Sequence, residues 1–191
     1  MTNLSEASRS LDLISAEESL LLIIDMQERF LRRIASFPDV RDHCVRLLQT
    51  AKLFDVPTTL TVQNPAGLGE IVPEILEVAP ESGIPEKFRF SAALATGWPM
   101  AAERSDSRRQ VVIAGIETPI CVLQTVLDLI SWGYQVFVVA DAAGSQKMVD
   151  HDTALQRLRD AGAVLTTAQS VQFEWCVEAG TDRFREMRNY L

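Results

Sequence analysis

Three side chains in this sequence stand where reactive chemistry can be assembled. Asp25 ends the apolar run Leu20-Leu21-Leu22-Ile23-Ile24. Lys87 follows a stretch rich in turn residues, with Gly67, Gly69, Gly83, Pro65, Pro73, Pro80 and Pro85. Cys121 comes after Gly115-Ile116-Glu117-Thr118-Pro119-Ile120. A thiolate attacks carbonyl carbon, a carboxylate can take the thiol proton, and an ammonium favours both anions. A thiol with an ordinary pKa of about 8.5 needs such help at neutral pH. Taken singly, each has a plainer reading: a small buried hydrophobe, a loop cap, a surface lysine. Placement decides between the two readings.

The elements around them predict that placement. The run Leu20–Ile24 suits a strand buried on both faces of a parallel sheet. Val40, Cys44, Leu47, Leu48, Ala51 and Phe54 recur at helical spacing, and Pro57 stops that helix. Thr58–Val62 reads as a second strand. Residues 63–86 form a long irregular excursion with a short helix at Pro73–Val78, closed by a short strand at Ile84–Lys87. Ser91 caps a predicted helix running to Glu103. Then come a strand at Gln110–Ala114, a helix at Thr118–Trp132 stopped by Gly133, and a strand at Tyr134–Ala140. A helix at Asp150–Ala161, a short strand at Ala163–Thr166 and a helical tail over 167–191 complete the chain. Six strands separated by helices give a three-layer α/β/α, doubly wound, mainly parallel sheet of order 3-2-1-4-5-6. In that order strands 1 and 4 flank the switch point, where ligands bind outside the carboxyl ends. Asp25 and the Gly115–Cys121 segment both end there. A thiol in the first turn of a helix also meets free N–H groups and the positive dipole end, which stabilise thiolate and can hold an oxyanion.

Other readings of such a fold fail on the residues. No glycine-rich turn follows strand 1, and no P-loop occurs. Gln27 stands where a haloacid-dehalogenase-like phosphatase places its second Asp. His43 and His151 fall in predicted helices as solvated or locally bonded residues, and no zinc spacing exists. Cys44 and Cys176 read as structural. The 191 residues suffice for one domain, 19–191, behind a loosely held acidic arm, 1–18. A net charge of −8 argues against nucleic acid as a partner. No apolar run approaches the roughly 20 residues of a membrane span, and Glu17-Glu18 precede the first strand where a signal peptide would be basic. Three cysteines without a framework spacing fit a reduced, cytoplasmic protein.

The ordered set resembles the isochorismatase-like cysteine hydrolases, and within them the isochorismatase domain-containing branch. The matching pieces are Ile23-Ile24-Asp25-Met26-Gln27, Lys87 with Ser91-Ala92, Ile113-Ala114-Gly115-Ile116-Glu117-Thr118-Pro119-Ile120-Cys121-Val122, and Val138-Val139-Ala140-Asp141-Ala142. The resemblance spans roughly residues 18–172. It implies an Asp25–Lys87–Cys121 triad, a non-proline cis peptide between Ile116 and Glu117, and an oxyanion hole made by the N–H groups of Glu117 and Cys121. The loop Val62-Gln63-Asn64-Pro65-Ala66-Gly67-Leu68-Gly69 lacks the Asp-x-His metal ligands of nicotinamidases, so neither metal nor cofactor is expected.

The expected activity is hydrolysis of a small-molecule amide or related C–N acyl bond through a thioester on Cys121. Gln27, Phe30, Phe90 and Trp98 are candidate pocket walls. Trp98 alternatively sits at a subunit contact, since such proteins are often homodimers or larger. The rival readings are an isochorismatase-type vinyl-ether hydrolase using Asp25 without covalent catalysis, and a non-catalytic small-molecule-binding protein.

Overall fold

The first strand, β1 (Ser19–Ile24), is buried on both faces, and the rest of the fold is laid out around it. The computed structural model describes residues 9–191. Part of the expected arm, residues 1–8, lies outside them. From Ile14 onward that arm is docked rather than loose. Ile14 is buried, its N–H donates to Glu174 Oε2 at 2.7 Å, and the Ser15 N–H donates to Gln110 Oε1 at 2.7 Å.

Strands β2 (Thr58–Gln63), β3 (Glu86–Lys87), β4 (Gln110–Ile116), β5 (Gln135–Gly144) and β6 (Val164–Thr166) join β1 in a six-stranded sheet of order β3-β2-β1-β4-β5-β6. Every pairing is parallel, as the strand-helix alternation predicts. Pleating divides the strands between two cores. Leu21, Ile23, Val112, Ala114, Phe137 and Val139 face one cluster, with α1 (Phe37–Leu53) and α6 (Ala168–Cys176). Leu20, Leu22, Ile24, Val111, Ile113, Val136 and Val138 face the other, with α4 (Leu123–Ser131) and α5 (Met148–Asp160). Two one-turn helices, α2 (Pro65–Leu68) and α3 (Pro73–Leu76), interrupt the excursion after β2, and α7 (Asp182–Met187) lies near the C-terminus.

Three predicted elements differ. The helix over Ser91–Glu103 is two 3-10 turns, Ala93–Thr96 and Ala101–Glu103, because Gly97 turns left-handed (φ 67°) and Pro99 cannot continue a helix. The tail over 167–191 is broken at Val177 (φ 64°) and Gly180 (φ 86°) into α6, α7 and a last 3-10 turn. The helix from Thr118 opens with a π turn, Thr118–Val122, in which the Val122 N–H reaches back five residues to Glu117 O at 3.3 Å.

Gly115 is the tightest point of the sheet. Its φ is +116°, and a Cβ there would lie 2.1 Å from Ile24 O and 2.6 Å from Ile24 N. No side chain can give way, since both atoms are backbone of the central strand. We expect Gly115→Ala to cost about 3 kcal/mol or more, a fall of about 6–12 °C in Tm by calorimetry. An unchanged Tm would mean that β1 and β4 are not held at this separation.

Candidate active site

Asp25 is the first residue past β1 and takes a left-handed conformation, φ 53°. Aspartate tolerates that region better than most residues. Its N–H continues the ladder to Thr61 O at 3.1 Å. The turn sends its side chain beneath the strand ends, where it is 1% exposed. Oδ1 accepts from Thr61 Oγ1 at 2.9 Å and Oδ2 from Lys87 Nζ at 2.6 Å.

Lys87 arrives from the sheet edge. The register pairs Gln63 with Lys87, which brings the edge strand against β2. Lys87 is 5% exposed, and its ammonium donates to Gln63 Oε1 at 2.8 Å and to the Phe90 carbonyl at 3.0 Å, besides Asp25. Cys121 Sγ lies 3.5 Å from it. Cys121 itself, 6% exposed, sits in the π turn between β4 and α4, not in the first turn of a regular helix. Thr125 Oγ1 donates to the Cys121 carbonyl at 2.6 Å and accepts from the Ala92 N–H at 2.8 Å, tying the turn to the segment after Lys87. Three stretches far apart in sequence thus converge on one ammonium.

The electrostatics oppose a resting thiolate. Burial and then the Asp25 carboxylate raise the Cys121 thiol, and the Lys87 ammonium lowers it; the net result is pushed up to about 12. The thiolate-stabilising effect expected of a helix start is outweighed by desolvation. Burial and the carboxylate beside it both favour the neutral thiol of Cys121.

The bond between Ile116 and Glu117 is cis. The Glu117 N–H donates to no backbone acceptor among the described residues. The Glu117 carboxylate is tied to the loop after β5, accepting from the Gln146 N–H at 3.1 Å, Gln146 Nε2 at 3.0 Å and Ser145 Oγ at 3.3 Å.

The expected pocket walls separate. Gln27 is fully buried and spends its amide on the backbone: Nε2 donates to Gly69 O at 2.6 Å and Gln63 O at 3.1 Å, and Oε1 accepts from the Gln63 N–H at 2.9 Å. It clamps the loop after β2 rather than facing a substrate. Phe30 belongs to the core on the α1 face, opposite the cluster that contains Cys121. Trp98 packs on Tyr134, ring centroids 6.2 Å apart, at the amino end of β5 and so at the opposite end of the strands from the ion pair. Phe90 alone stays with the site, half exposed, its carbonyl on Lys87. Thr61, Gln63 and Thr125 are the polar supports that sequence reasoning missed. The strand over Thr58–Val62 carried the signal for Thr61, since its end must meet the end of β1.

His43 Nδ1 lies 2.7 Å from the Asp141 carbonyl, and His151 Nδ1 lies 2.9 Å from Thr118 Oγ1. Both are locally bonded, away from the ion pair. Cys44, Cys121 and Cys176 are free and buried. Among the described residues no trio of His, Cys, Asp or Glu is arranged to hold a metal, and no helix is long and apolar enough to cross a membrane.

The isochorismatase domain pattern matches residues 19–170. The chain belongs to the isochorismatase family. It is 38% identical over 193 residues to mouse isochorismatase domain-containing protein 2A, covering 98% of this chain and 89% of that one. The fold is that of the family's hydrolases. A Caenorhabditis elegans structure described as MAR1 ribonuclease superposes with TM-score 0.85 at 32% identity, covering 94% of this chain and 92% of that one. Escherichia coli YcaC, described as an octameric hydrolase of unknown specificity, gives 0.81 at 25%, covering 95% and 96%. Pseudomonas aeruginosa YcaC, described with covalent acrylamide, gives 0.78 at 26%, covering 96% and 93%.

The charge balance at Cys121 has a readable consequence. Asp25 raises the thiol, so Asp25→Asn lowers its pKa while leaving Lys87 in place. Iodoacetamide labelling followed by peptide mass spectrometry should show parent Cys121 gaining rate up to about pH 12 and the variant levelling off at lower pH. A variant that levels off at the same pH as the parent, or at a higher one, would mean that the Asp25 charge does not act on the thiol.

Proposed function

We propose that the protein is a cysteine hydrolase that cleaves a small-molecule amide or related C–N acyl bond. The observation that carries this reading is the ammonium of Lys87, 2.6 Å from Asp25 Oδ2 and 3.5 Å from Cys121 Sγ, with all three groups 6% exposed or less. A binding protein has no need to bury an ion pair against a thiol at the switch point. The covalent acrylamide on the Pseudomonas relative fits a family site that takes electrophiles.

The neutral thiol sets the order of events. As Sγ bonds to the carbonyl carbon, its proton passes to Asp25, so free thiolate never accumulates. Lys87 offsets the negative charge that moves between sulfur and carboxylate. The carbonyl oxygen, now an oxyanion, is received by the N–H groups of Glu117 and Cys121. Asp25 returns the proton to the leaving nitrogen as the C–N bond breaks, which leaves a thioester. Asp25 then takes a proton from water, whose oxygen attacks the thioester, and the thiol leaves reprotonated. No resident metal or cofactor is invoked.

The working unit is a homo-oligomer, as the octameric Escherichia coli relative suggests, and three free cysteines suit the cytoplasm. RNA, the substrate implied by the nematode structure's description, is a poorer fit for a chain of net charge −8.

The test uses a panel of small amides, carbamates and ureas with intact-mass detection. We expect an acyl adduct on parent protein, none on Cys121→Ala, and turnover about 10²–10⁴-fold slower in Asp25→Asn. Undiminished turnover in Cys121→Ala would overturn the covalent scheme and favour ether hydrolysis through Asp25. Light scattering that shows a monomer would overturn the assembly.

A further inference from the structure

The sequence from Glu28 to Arg33 carries three guanidiniums, Arg29, Arg32 and Arg33, against one carboxylate, in a chain whose net charge is −8. All three arginines are exposed, and none makes a salt bridge or side-chain hydrogen bond among the described residues. The other arginines near acidic groups behave differently: Arg41, Arg104 and Arg183 each hold an Asp. Acidic partners are plentiful in this protein, yet this cluster takes none.

Its setting is rigid and close to the site. The cluster rides on the turn after Asp25, whose 3-10 segment Glu28–Phe30 is pinned by the buried Phe30 ring. The Arg33 and Ile34 N–H groups both donate to Phe30 O at 3.0 Å, and the Glu28 N–H donates to Glu70 O at 3.0 Å. Arg29 and Arg32 line a cleft of about 390 Å³ with Glu28, Leu31, Leu68 and Gly69. Gly69 is also where Gln27 Nε2 docks, and Gln27 in turn grips Gln63, an acceptor for Lys87. The cleft therefore borders the loops that frame the ion pair, at the same carboxyl edge of the sheet. Two guanidiniums against the single Glu28 carboxylate, in a lining shared with Leu31 and Leu68, suit a small molecule with an apolar body and an anionic group.

We propose that Arg29 and Arg32 select the substrate: a small acyl compound bearing a carboxylate or phosphate away from the scissile bond. This rests on the cysteine-hydrolase reading, and it adds a substrate class to it. The same charges raise the local concentration of anions at the mouth.

Two measurements test it. The first compares alkylation of Cys121 by iodoacetate and by iodoacetamide, which differ in charge but little in size, with Cys176 as internal control. The iodoacetate-to-iodoacetamide rate ratio at Cys121 should exceed the control ratio about tenfold. It should fall at least threefold in Arg29→Gln/Arg32→Gln, and fall in the parent as salt rises to about 0.3 M. A ratio unchanged in the double variant would assign any preference to Lys87 and overturn the proposal. The second does not need the thiol. Succinate at millimolar concentration should raise the Tm of the parent, while succinamide should not, and the double variant should lose the response. Equal responses in parent and variant would overturn the proposal, as would a double variant that changes oligomeric mass, which would assign the arginines to a subunit contact. Failure of neutral iodoacetamide to reach Cys121 at any pH, with the succinate response intact, would instead strike at the nucleophile and leave the anion site standing.

Discussion

A charge pair sealed from water governs the functional end of this molecule. Lys87 and Asp25 are each nearly inaccessible, and neither ion could be buried alone without losing several kcal/mol of hydration. Their mutual attraction repays that loss only if the remaining donors and acceptors are filled. Thr61 fills the second oxygen of Asp25, and Gln63 and the Phe90 carbonyl fill the remaining hydrogens of Lys87. All three partners come from β2 or from the segment just after β3. The pair therefore acts as a cross-tie from the sheet edge to its centre, and it anchors a two-residue edge strand that would be marginal by itself. Such a pair is weak support for stability as such, but it specifies a single arrangement of the loops around it.

That arrangement decides how Cys121 is presented. The thiol shares a low-dielectric pocket with a carboxylate and an ammonium of opposite effect. Burial adds to the carboxylate's influence, so the balance favours the protonated sulfur. A buried nucleophile that waits as its neutral form is protected from oxidation and from stray electrophiles. Its activation depends on a carbonyl reaching it and on Asp25 taking a proton in the same motion. Nearby, the β4–β5 register slips between Ile113 and Gly115: two residues of β4 span five of β5. The extra residues bring Gly144 beside Ile116, where its carbonyl accepts from Thr118 Oγ1 at 3.0 Å. The π turn is thus held from the β5 side as well as from Thr125.

Much of this was legible in the residues. Unbroken apolar runs announced strands buried on both faces, and the alternation of strands with amphipathic stretches announced the parallel order. The switch-point rule then singled out Asp25 and the segment before Cys121 without reference to any relative. What stayed hidden was set by three-dimensional register. Gln27 offered no sign that its amide would be spent on the backbone at 63 and 69. Phe30 and Trp98 resemble pocket aromatics in sequence, and only the three-dimensional arrangement sends one to the opposite core and the other to the opposite end of the strands. The direction of the Cys121 shift depended on depth of burial, which no local pattern reports. The break after Ser91 is written in Gly97 and Pro99, the residues at which the helix expected to Glu103 gives way to two 3-10 turns.

The pairing of Ser19 with Gln110, and so of β1 with β4, closes a loop of 110 − 19 = 91 residues. Contacts that distant in sequence form late and slowly, because chain entropy must be lost before any pairing rewards it. Asp25 and Lys87 leave the ribosome well before the thiol does, yet neither can meet it until this central seam has zipped. A growing chain therefore carries no assembled nucleophile. Reactivity appears only at the end of folding, as a property of the finished sheet.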